Sequence, residues 1–261
     1  MEIIRVDAPS PRATLVLVHG AWHGAWCWQD GFAQRLAERG ISTLAPSLRG
    51  HAGSSEGVRL NRVRLRDYVD DLATVVAGLD SPPYVAGHSM GGGVVQAFLE
   101  RTDRPPIAGA ALLASMPPRG VIGVTLQVVR TTPGTFLASN LTLDLGRLVR
   151  TPEQVRSLFF SPGTPEAVVQ STTARCQSES YRAFLDMLLL DRPKPRPVDD
   201  PVLVLGAADD AIFPPGDVAA TATAWGTTPV MIDGIAHDVM LDDGWEQVAD
   251  VLADWVLSRE S

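Results

Sequence analysis

The stretch "YVAGHSMGGGVVQAFLE", residues 84–100, decides the fold of this chain. A short apolar run stops at Gly87, His88 and Ser89 follow, and a helical pattern begins at Met90. A strand that turns into a helix within so few residues forces a strained backbone conformation on the residue at the turn, and small neighbours make the turn possible. The sequence therefore predicts Ser89 at a tight corner above the edge of a sheet.

Residues 87–91 match the pattern G-x-S-x-G between a predicted strand and a predicted helix. In that context the pattern indicates a nucleophilic serine exposed on a strand-to-helix turn. Glycines at such a turn also occur where a helix merely packs on a sheet or where a loop binds phosphate. The stretch lacks the Lys and Ser or Thr that end a phosphate-binding loop, and it lacks the G-x-G-x-x-G spacing of dinucleotide folds. We therefore favour the nucleophile.

The rest of the chain alternates short apolar runs with longer amphipathic stretches, which predicts an α/β fold with a mostly parallel, doubly wound sheet. The predicted strands are Thr14 to Val18, Ile41 to Ala45, Tyr84 to Ala86, Ala108 to Leu113, Val202 to Leu205 and Val230 to Ile232. The predicted helices are Trp26 to Arg39, Leu65 to Leu79, Met90 to Arg101, Asp217 to Trp225 and Gly244 to Ser258.

Between residues 117 and 197 the alternation stops, and Pro, Thr and Ser break the sequence into several short helices. We interpret 117–197 as a helical cap inserted into one core, which comprises residues 1–116 and 198–261. A chain of 261 residues is long enough for a single core of this kind.

Composition indicates a soluble protein of a reducing compartment. No apolar stretch approaches the roughly 18 residues of a membrane span, and the start lacks a basic segment followed by an apolar one. Cys27 and Cys176 are too few for a disulfide framework, so we expect a cytoplasmic location. The net charge of −8 argues against nucleic acid as a partner. The oligomeric state stays open.

Five histidines are candidates for a general base beside Ser89. His237 follows the last predicted strand, where its loop reaches the carboxyl edge of the sheet, and we predict that it is the base. His19 and His23 have a spacing that would suit a metal pair, but they lie on a glycine-containing loop without a third ligand, so we expect no metal. His51 and His88 are interpreted as loop and elbow residues.

Two neighbouring carboxylates, Asp209 and Asp210, follow the penultimate strand and are candidates for the acid that orients His237. Either one gives the chain order Ser, Asp, His that is expected on this topology. Donors for an oxyanion are also predicted. The N–H of Ala21, just after the first confident strand, and the N–H of Met90, just after the serine, would both face the reacting carbonyl.

These elements resemble the α/β-hydrolase fold superfamily. The segments "HGAWHGAWCW", "GHSMGG" and "GIAHDVML" are most similar to the branch of plant methylesterases and hydroxynitrile lyases and its bacterial carboxylesterase relatives. The resemblance implies an α/β-hydrolase fold and acyl transfer by Ser89, His237 and an aspartate, without metal or organic cofactor. It favours Asp210 over Asp209, because Ile212, Phe213 and Pro214 follow as in the usual acid loop of the superfamily.

The same resemblance bears on the substrate. Gly20 and Asp238 stand where the lyases carry a hydroxyl residue and a lysine, which favours ester hydrolysis over cyanohydrin cleavage. Trp22 is bulkier than the small residue common at its position, so we expect it to narrow the pocket mouth. In the cap, "YRAFLDMLLL" offers Phe184, Met187 and Leu188 as substrate contacts, although they would equally suit the buried face of that helix.

The sequence thus predicts a serine carboxylesterase that cleaves a small or medium apolar ester, a small-molecule substrate, through an acyl-enzyme. A thioesterase, a lactonase or a carbon–carbon bond hydrolase with the same triad remains an alternative. So does a ligand receptor that retains the fold, because a fold alone does not decide function.

Overall fold

The structure of the chain, a computed structural model, describes residues 1–260. Its centre is a seven-stranded sheet with the order β1-β3-β2-β4-β5-β6-β7. All neighbouring strands are parallel except β1, which is antiparallel to β3. The strands are β1 (Ile3–Val6), β2 (Ala13–Val18), β3 (Ile41–Pro46), β4 (Tyr84–His88), β5 (Gly109–Leu113), β6 (Val202–Ala207) and β7 (Pro229–Ile232).

The six strands that the sequence predicts are present, whereas β1 was not predicted. It has only four residues and lies at the edge of the sheet, and its side chains alternate between exposed and half-buried. A strand of four residues is too short for its sequence pattern to stand out from its surroundings. The inner strands β3, β4 and β5 are buried along their whole length, as strands of a parallel sheet covered on both faces should be.

Helices cover both faces of the sheet. Helix α2 packs against α3, and α1 packs against α10. The predicted helix from Trp26 to Arg39 is divided, because Gly31 adopts a φ of 106° between a short 3-10 turn and α1. The helices are α1 (Phe32–Glu38), α2 (Leu65–Ala77), α3 (Met90–Leu99), α4 (Ile122–Thr131), α5 (Pro133–Thr142), α6 (Pro152–Phe159), α7 (Glu166–Arg175), α8 (Tyr181–Leu185), α9 (Pro215–Ala224) and α10 (Trp245–Leu257).

Five of these helices, α4 to α8, lie between β5 and β6 and are fixed to the sheet-bearing part by buried carboxylates. Asp186 accepts hydrogen bonds from the guanidinium of Arg64, with Nη2 and Oδ1 2.6 Å apart. Glu179 accepts one from the Tyr68 hydroxyl at 2.7 Å and lies 3.0 Å from Nε2 of His51. None of the helices within residues 1–260 has the length and apolar character needed to cross a bilayer.

The corner after β4 is as tight as the sequence predicts. Ser89 has a φ of 53° and a ψ of −117°, a backbone conformation that residues other than glycine rarely adopt. A Cβ atom at Gly87 would overlap the carbonyl oxygen of Gly91. A Cβ atom at Gly91 would lie 2.5 Å from the carbonyl oxygens of Val18 and His19. Helix α3 therefore approaches both β4 and the end of β2 more closely than a side chain at Gly87 or Gly91 would allow.

We expect Gly87→Ala to lower the free energy of unfolding by about 3 kcal/mol, because its methyl group meets backbone atoms that cannot move independently. The matched control is Gly134→Ala in α5, where an added Cβ would have no neighbour within 4 Å. This control should be stabilising by about 0.5 to 1 kcal/mol, since Ala favours a helix over Gly. Urea unfolding measures both. Equal stability of Gly87→Ala and the wild type would contradict the packing described.

Candidate active site

Three side chains that the sequence singles out form one hydrogen-bonded row at the carboxyl edge of the sheet. The Oγ atom of Ser89 lies 2.9 Å from Nε2 of His237, and Nδ1 of His237 lies 2.8 Å from Oδ2 of Asp210. Ser89 follows β4, Asp210 follows β6 and His237 follows β7. Because the carboxyl ends of parallel strands share one edge of a sheet, side chains far apart in sequence meet here.

Asp210, and not Asp209, contacts His237. The Oδ1 atom of Asp210 accepts hydrogen bonds from the backbone N–H groups of Ile212 at 2.7 Å and Phe213 at 2.9 Å. These bonds fix the buried carboxylate so that its second oxygen faces the imidazole. The Asp209 side chain is exposed, and its backbone N–H donates to Ile235.

Ala21 and Met90, whose N–H groups are the predicted oxyanion donors, line one cavity together with Ser89. Met90 is the first residue of α3, so its N–H has no acceptor within the helix. The N–H of Ala21 likewise has no hydrogen-bond acceptor among residues 1–260. Gly20 brings the two loops together, since a Cβ atom on it would lie 3.1 Å from Cβ of Ser89. The positive end of α3 adds a favourable field for an anion at this point.

His88 packs behind this row. Its Nε2–H donates to the carbonyl oxygen of His237 at 2.8 Å, while its Nδ1 has no partner within residues 1–260. Burial, and then the neighbouring His237, lower the pKa of His88 to about 3. His88 is therefore neutral at physiological pH, and it supports the backbone of the loop that carries His237.

His19 and His23 hold the turn that carries Ala21, a role that the sequence did not reveal. Nδ1 of His19 donates to Gly20 O at 2.8 Å, and Nδ1 of His23 donates to Ala21 O at 2.7 Å. Burial lowers the pKa of His19, whose Nε2 accepts from the N–H of Leu48 at 3.0 Å. Residues 1–260 contain no group of three metal-ligating side chains. The only sign of this role in the sequence was that His19 and His23 flank the segment Gly20-Ala21-Trp22.

Ser89 lines an apolar cavity of about 790 Å³, open solvent included, together with residues of the helices between β5 and β6. Trp22, Phe184 and Met187, which the sequence offers as substrate contacts, line it. Leu188 does not line it and packs instead against the core, because Met187 and Leu188 follow each other in a π-helical turn, Asp186–Leu190, in which successive side chains point in different directions. The other lining side chains are mostly aliphatic or aromatic and include Val121, Val124, Val128, Phe136, Leu145 and Leu148.

Comparison with known proteins agrees with this architecture. Residues 15–251 match the alpha/beta hydrolase family, and the chain belongs to that family. It is 27% identical over 270 aligned positions to a monoacylglycerol lipase of Mycolicibacterium smegmatis, covering 95% of this chain and 89% of the relative. It is also 27% identical over 178 positions to methyl jasmonate esterase 1 of Vitis vinifera, covering 64% of this chain and 67% of that protein.

A solved structure has the same fold. A soluble variant of the monoglyceride lipase of Saccharomyces cerevisiae superposes with a TM-score of 0.77 at 16% identity. The match covers 99% of this chain and 92% of the yeast protein. The sheet and its flanking helices thus have the α/β-hydrolase fold.

The depressed pKa of His88 predicts a specific acid sensitivity. Between its ordinary pKa of 6.5 and about 3, the unfolded chain binds a proton that the folded chain does not. The stability that His88 contributes is therefore complete above pH 6.5 and is lost as the pH falls toward 3. His88→Gln keeps a donor for the carbonyl of His237 without titrating. In urea titrations between pH 6 and 4, the free energy of unfolding of His88→Gln should fall less steeply than that of the wild type. The difference between the two slopes should be about 1.4 kcal/mol per pH unit, the effect of one proton.

The wild type is the control for this comparison, because every other histidine is common to the two proteins. Parallel pH profiles for the wild type and His88→Gln would contradict a neutral, buried His88.

Proposed function

We propose that this chain is a serine esterase that cleaves small or medium apolar carboxylic esters through an acyl-enzyme. In the proposal Ser89 is the nucleophile, His237 the general base and Asp210 the acid that orients it, with the N–H groups of Ala21 and Met90 as the oxyanion hole. The observation that carries the proposal is the Ser89–His237–Asp210 row, whose Ser89 lines an apolar cavity.

The class of reaction has independent support. The chain belongs to the alpha/beta hydrolase family, and relatives aligned over most of its length are named esterases and lipases. It is a carboxylesterase-like hydrolase. The triad, the oxyanion donors and the substrate class are the parts that we add.

The proposed reaction has two halves. His237 takes the proton of Ser89 as Oγ attacks the ester carbonyl, and the resulting oxyanion is bound by the two backbone N–H groups. His237 then gives that proton to the leaving alcohol as the carbon–oxygen bond breaks, which leaves an acyl group on Ser89. In the second half His237 deprotonates a water that attacks the acyl carbonyl, and Ser89 departs with the proton as the acid is released.

Asp210 supports both halves without changing its own protonation. Its Oδ2 accepts from Nδ1–H of His237, which leaves Nε2 as the basic nitrogen facing Ser89. It also stabilises the imidazolium that forms in each half. Every proton transfer is carried by these side chains and by the substrate or water, so the scheme calls for no metal or organic cofactor.

The lining of the cavity supports an apolar substrate. Besides Ser89, its side chains with hydrogen-bonding groups are those of Trp22, Thr125 and Glu179. The Trp22 indole N–H donates to the carbonyl of Leu145 at 3.1 Å. Glu179 is already bonded to His51, Tyr68 and the N–H of Ser180. Little remains to solvate a charged or strongly polar group, so an aliphatic or aromatic moiety gains most from burial there.

Three substitutions test the triad. Ser89→Ala and Asp210→Asn should each lower kcat for a p-nitrophenyl ester by about 10³-fold or more, because one removes the nucleophile and the other the acceptor that selects the tautomer of His237. Asp209→Asn is the matched control, since the exposed Asp209 side chain lies outside the row. It should keep most of the activity.

Equal activity of Ser89→Ala and the wild type would contradict the assignment of Ser89 as the nucleophile. A severe loss in Asp209→Asn with a mild one in Asp210→Asn would contradict the choice of acid. Circular dichroism of each variant separates loss of chemistry from loss of fold.

A graded series of p-nitrophenyl esters tests the substrate class. With each added acyl methylene, kcat/KM should rise by about fourfold until the cavity is filled, as expected for burial of one CH₂ group. A charged acyl group of similar size should be a poor substrate. Thioesters and lactones of matched chain length, assayed in the same way, rank the alternative substrates of this triad. A flat response to chain length would contradict an apolar acyl site.

A further inference from the structure

An ion pair outside the triad joins two loops of the site. His23 lies on the turn after β2, two residues beyond Ala21, and Asp238 directly follows His237. Their side chains are 1% and 0% exposed, and Nε2 of His23 lies 2.9 Å from Oδ2 of Asp238. None of the proposed chemical steps uses either residue. Each is nevertheless within two residues of a group that does take part.

The hydrogen bonds determine the charge of this pair. Nδ1 of His23 faces the carbonyl oxygen of Ala21, and Nε2 faces a carboxylate oxygen. Both oxygens are acceptors, so the ring needs a hydrogen on each nitrogen and is an imidazolium. Burial acts in the opposite direction, but the charge and hydrogen bond of Asp238 raise the pKa of His23. Likewise His23 outweighs burial and lowers the pKa of Asp238.

One end of the pair holds the oxyanion turn. The carbonyl of Gly20 is bonded to His19 and the carbonyl of Ala21 to His23, so the peptide groups on both sides of Ala21 are fixed. Trp22, the next residue, has a φ of 66° in the left-handed region. A bulky residue keeps that conformation only where its surroundings enforce it.

The other end holds the loop of the base. The N–H of Asp238 donates to the carbonyl of Phe159 at 2.9 Å, and the carbonyl of His237 accepts from His88. The Oδ1 atom of Asp238 has no partner within residues 1–260, so the carboxylate is directed to His23 alone. The ion pair is therefore a direct link between the loop that carries the N–H of Ala21 and the loop that carries His237.

We propose that the His23–Asp238 pair is a positioning element that fixes the place of the N–H of Ala21 relative to Ser89 and His237. The inference rests on the proposed esterase function. The position of this N–H has little effect on the binding of an apolar ester in its ground state. It has a large effect on the stability of the tetrahedral oxyanion, which accepts a hydrogen bond from this N–H. Loosening the link should consequently lower kcat and leave KM nearly unchanged. A purely structural pair would change thermal stability alone.

Two substitutions at one position separate these roles. In Asp238→Asn, neutral His23 still donates from Nδ1 to Ala21, and its Nε2 accepts a hydrogen from the new amide, so the link persists without charge. In Asp238→Leu, His23 loses its proton, no charge is buried, and the link is broken. The two variants differ mainly in that one hydrogen bond.

We expect Asp238→Asn to keep kcat within about threefold of the wild type, and Asp238→Leu to lose about 30- to 100-fold in kcat, with KM changed by less than about threefold. The affinity for a trifluoromethyl ketone, which adds to the serine as a tetrahedral oxyanion, should fall in Asp238→Leu by the same factor as kcat/KM. Assays on p-nitrophenyl esters below the Tm of each variant provide the comparison.

Equal kcat in Asp238→Leu and the wild type would overturn the inference, as would equal losses in the two variants. If Asp238→Leu does not fold, His23→Asn combined with Asp238→Asn replaces it, because Asn at 23 is too short to reach residue 238. That protein should show the same loss in kcat. A wild type without esterase activity would refute the proposed function itself, and with it the positioning role of the His23–Asp238 pair.

Discussion

The backbone conformation of Ser89 is the constraint on which the rest of the site depends. A φ of 53° at a serine is unfavourable, and it persists in a tightly packed setting: α3 leaves no space for a side chain at Gly87, and the end of β2 leaves none at Gly91. The short turn places Oγ above the carboxyl edge of the sheet and the N–H of Met90 beside it. The loops after the other strands then have only to bring their groups to this fixed point.

Those loops are held by hydrogen bonds from buried groups. The acid loop is closed by two backbone donors to Asp210, and the loop of the base is supported through the carbonyl of His237. All five histidines of the chain are buried, yet among them only the His237 side chain has a hydrogen bond to Ser89 within residues 1–260. The others differ in charge according to their partners: His88 faces a carbonyl and is neutral, whereas His23 faces a carboxylate and is charged.

Much of this arrangement follows from the sequence because its signals are local. Continuous apolar runs predicted the covered strands, and the glycines around Ser89 predicted the corner. Strand β1 was missed because a four-residue edge strand buries too little to leave a pattern. Asp209 and Asp210 were separated only by resemblance, since neighbouring carboxylates are equivalent until the turn after β6 is built.

Side-chain direction within a helix and contacts between distant loops were beyond such signals. Leu188 and Met187 are neighbours in sequence, yet only Met187 reaches the cavity. Likewise the partner of His23 is 215 residues away, and no local pattern predicts that contact. The sequence therefore predicted well which residues lie at the carboxyl edge of the sheet. It predicted less well which of their side chains are in contact.

The central claim is that Ser89 forms a covalent acyl intermediate, and labelling with a fluorophosphonate tests it most directly. After incubation of the native protein, intact mass spectrometry and peptide mapping should find one adduct per chain, located on Ser89. The denatured protein should remain unlabelled, because the reactivity of the hydroxyl depends on the folded His237–Asp210 pair. A folded protein without an adduct on Ser89 would contradict the account and favour a ligand-binding role for the cavity.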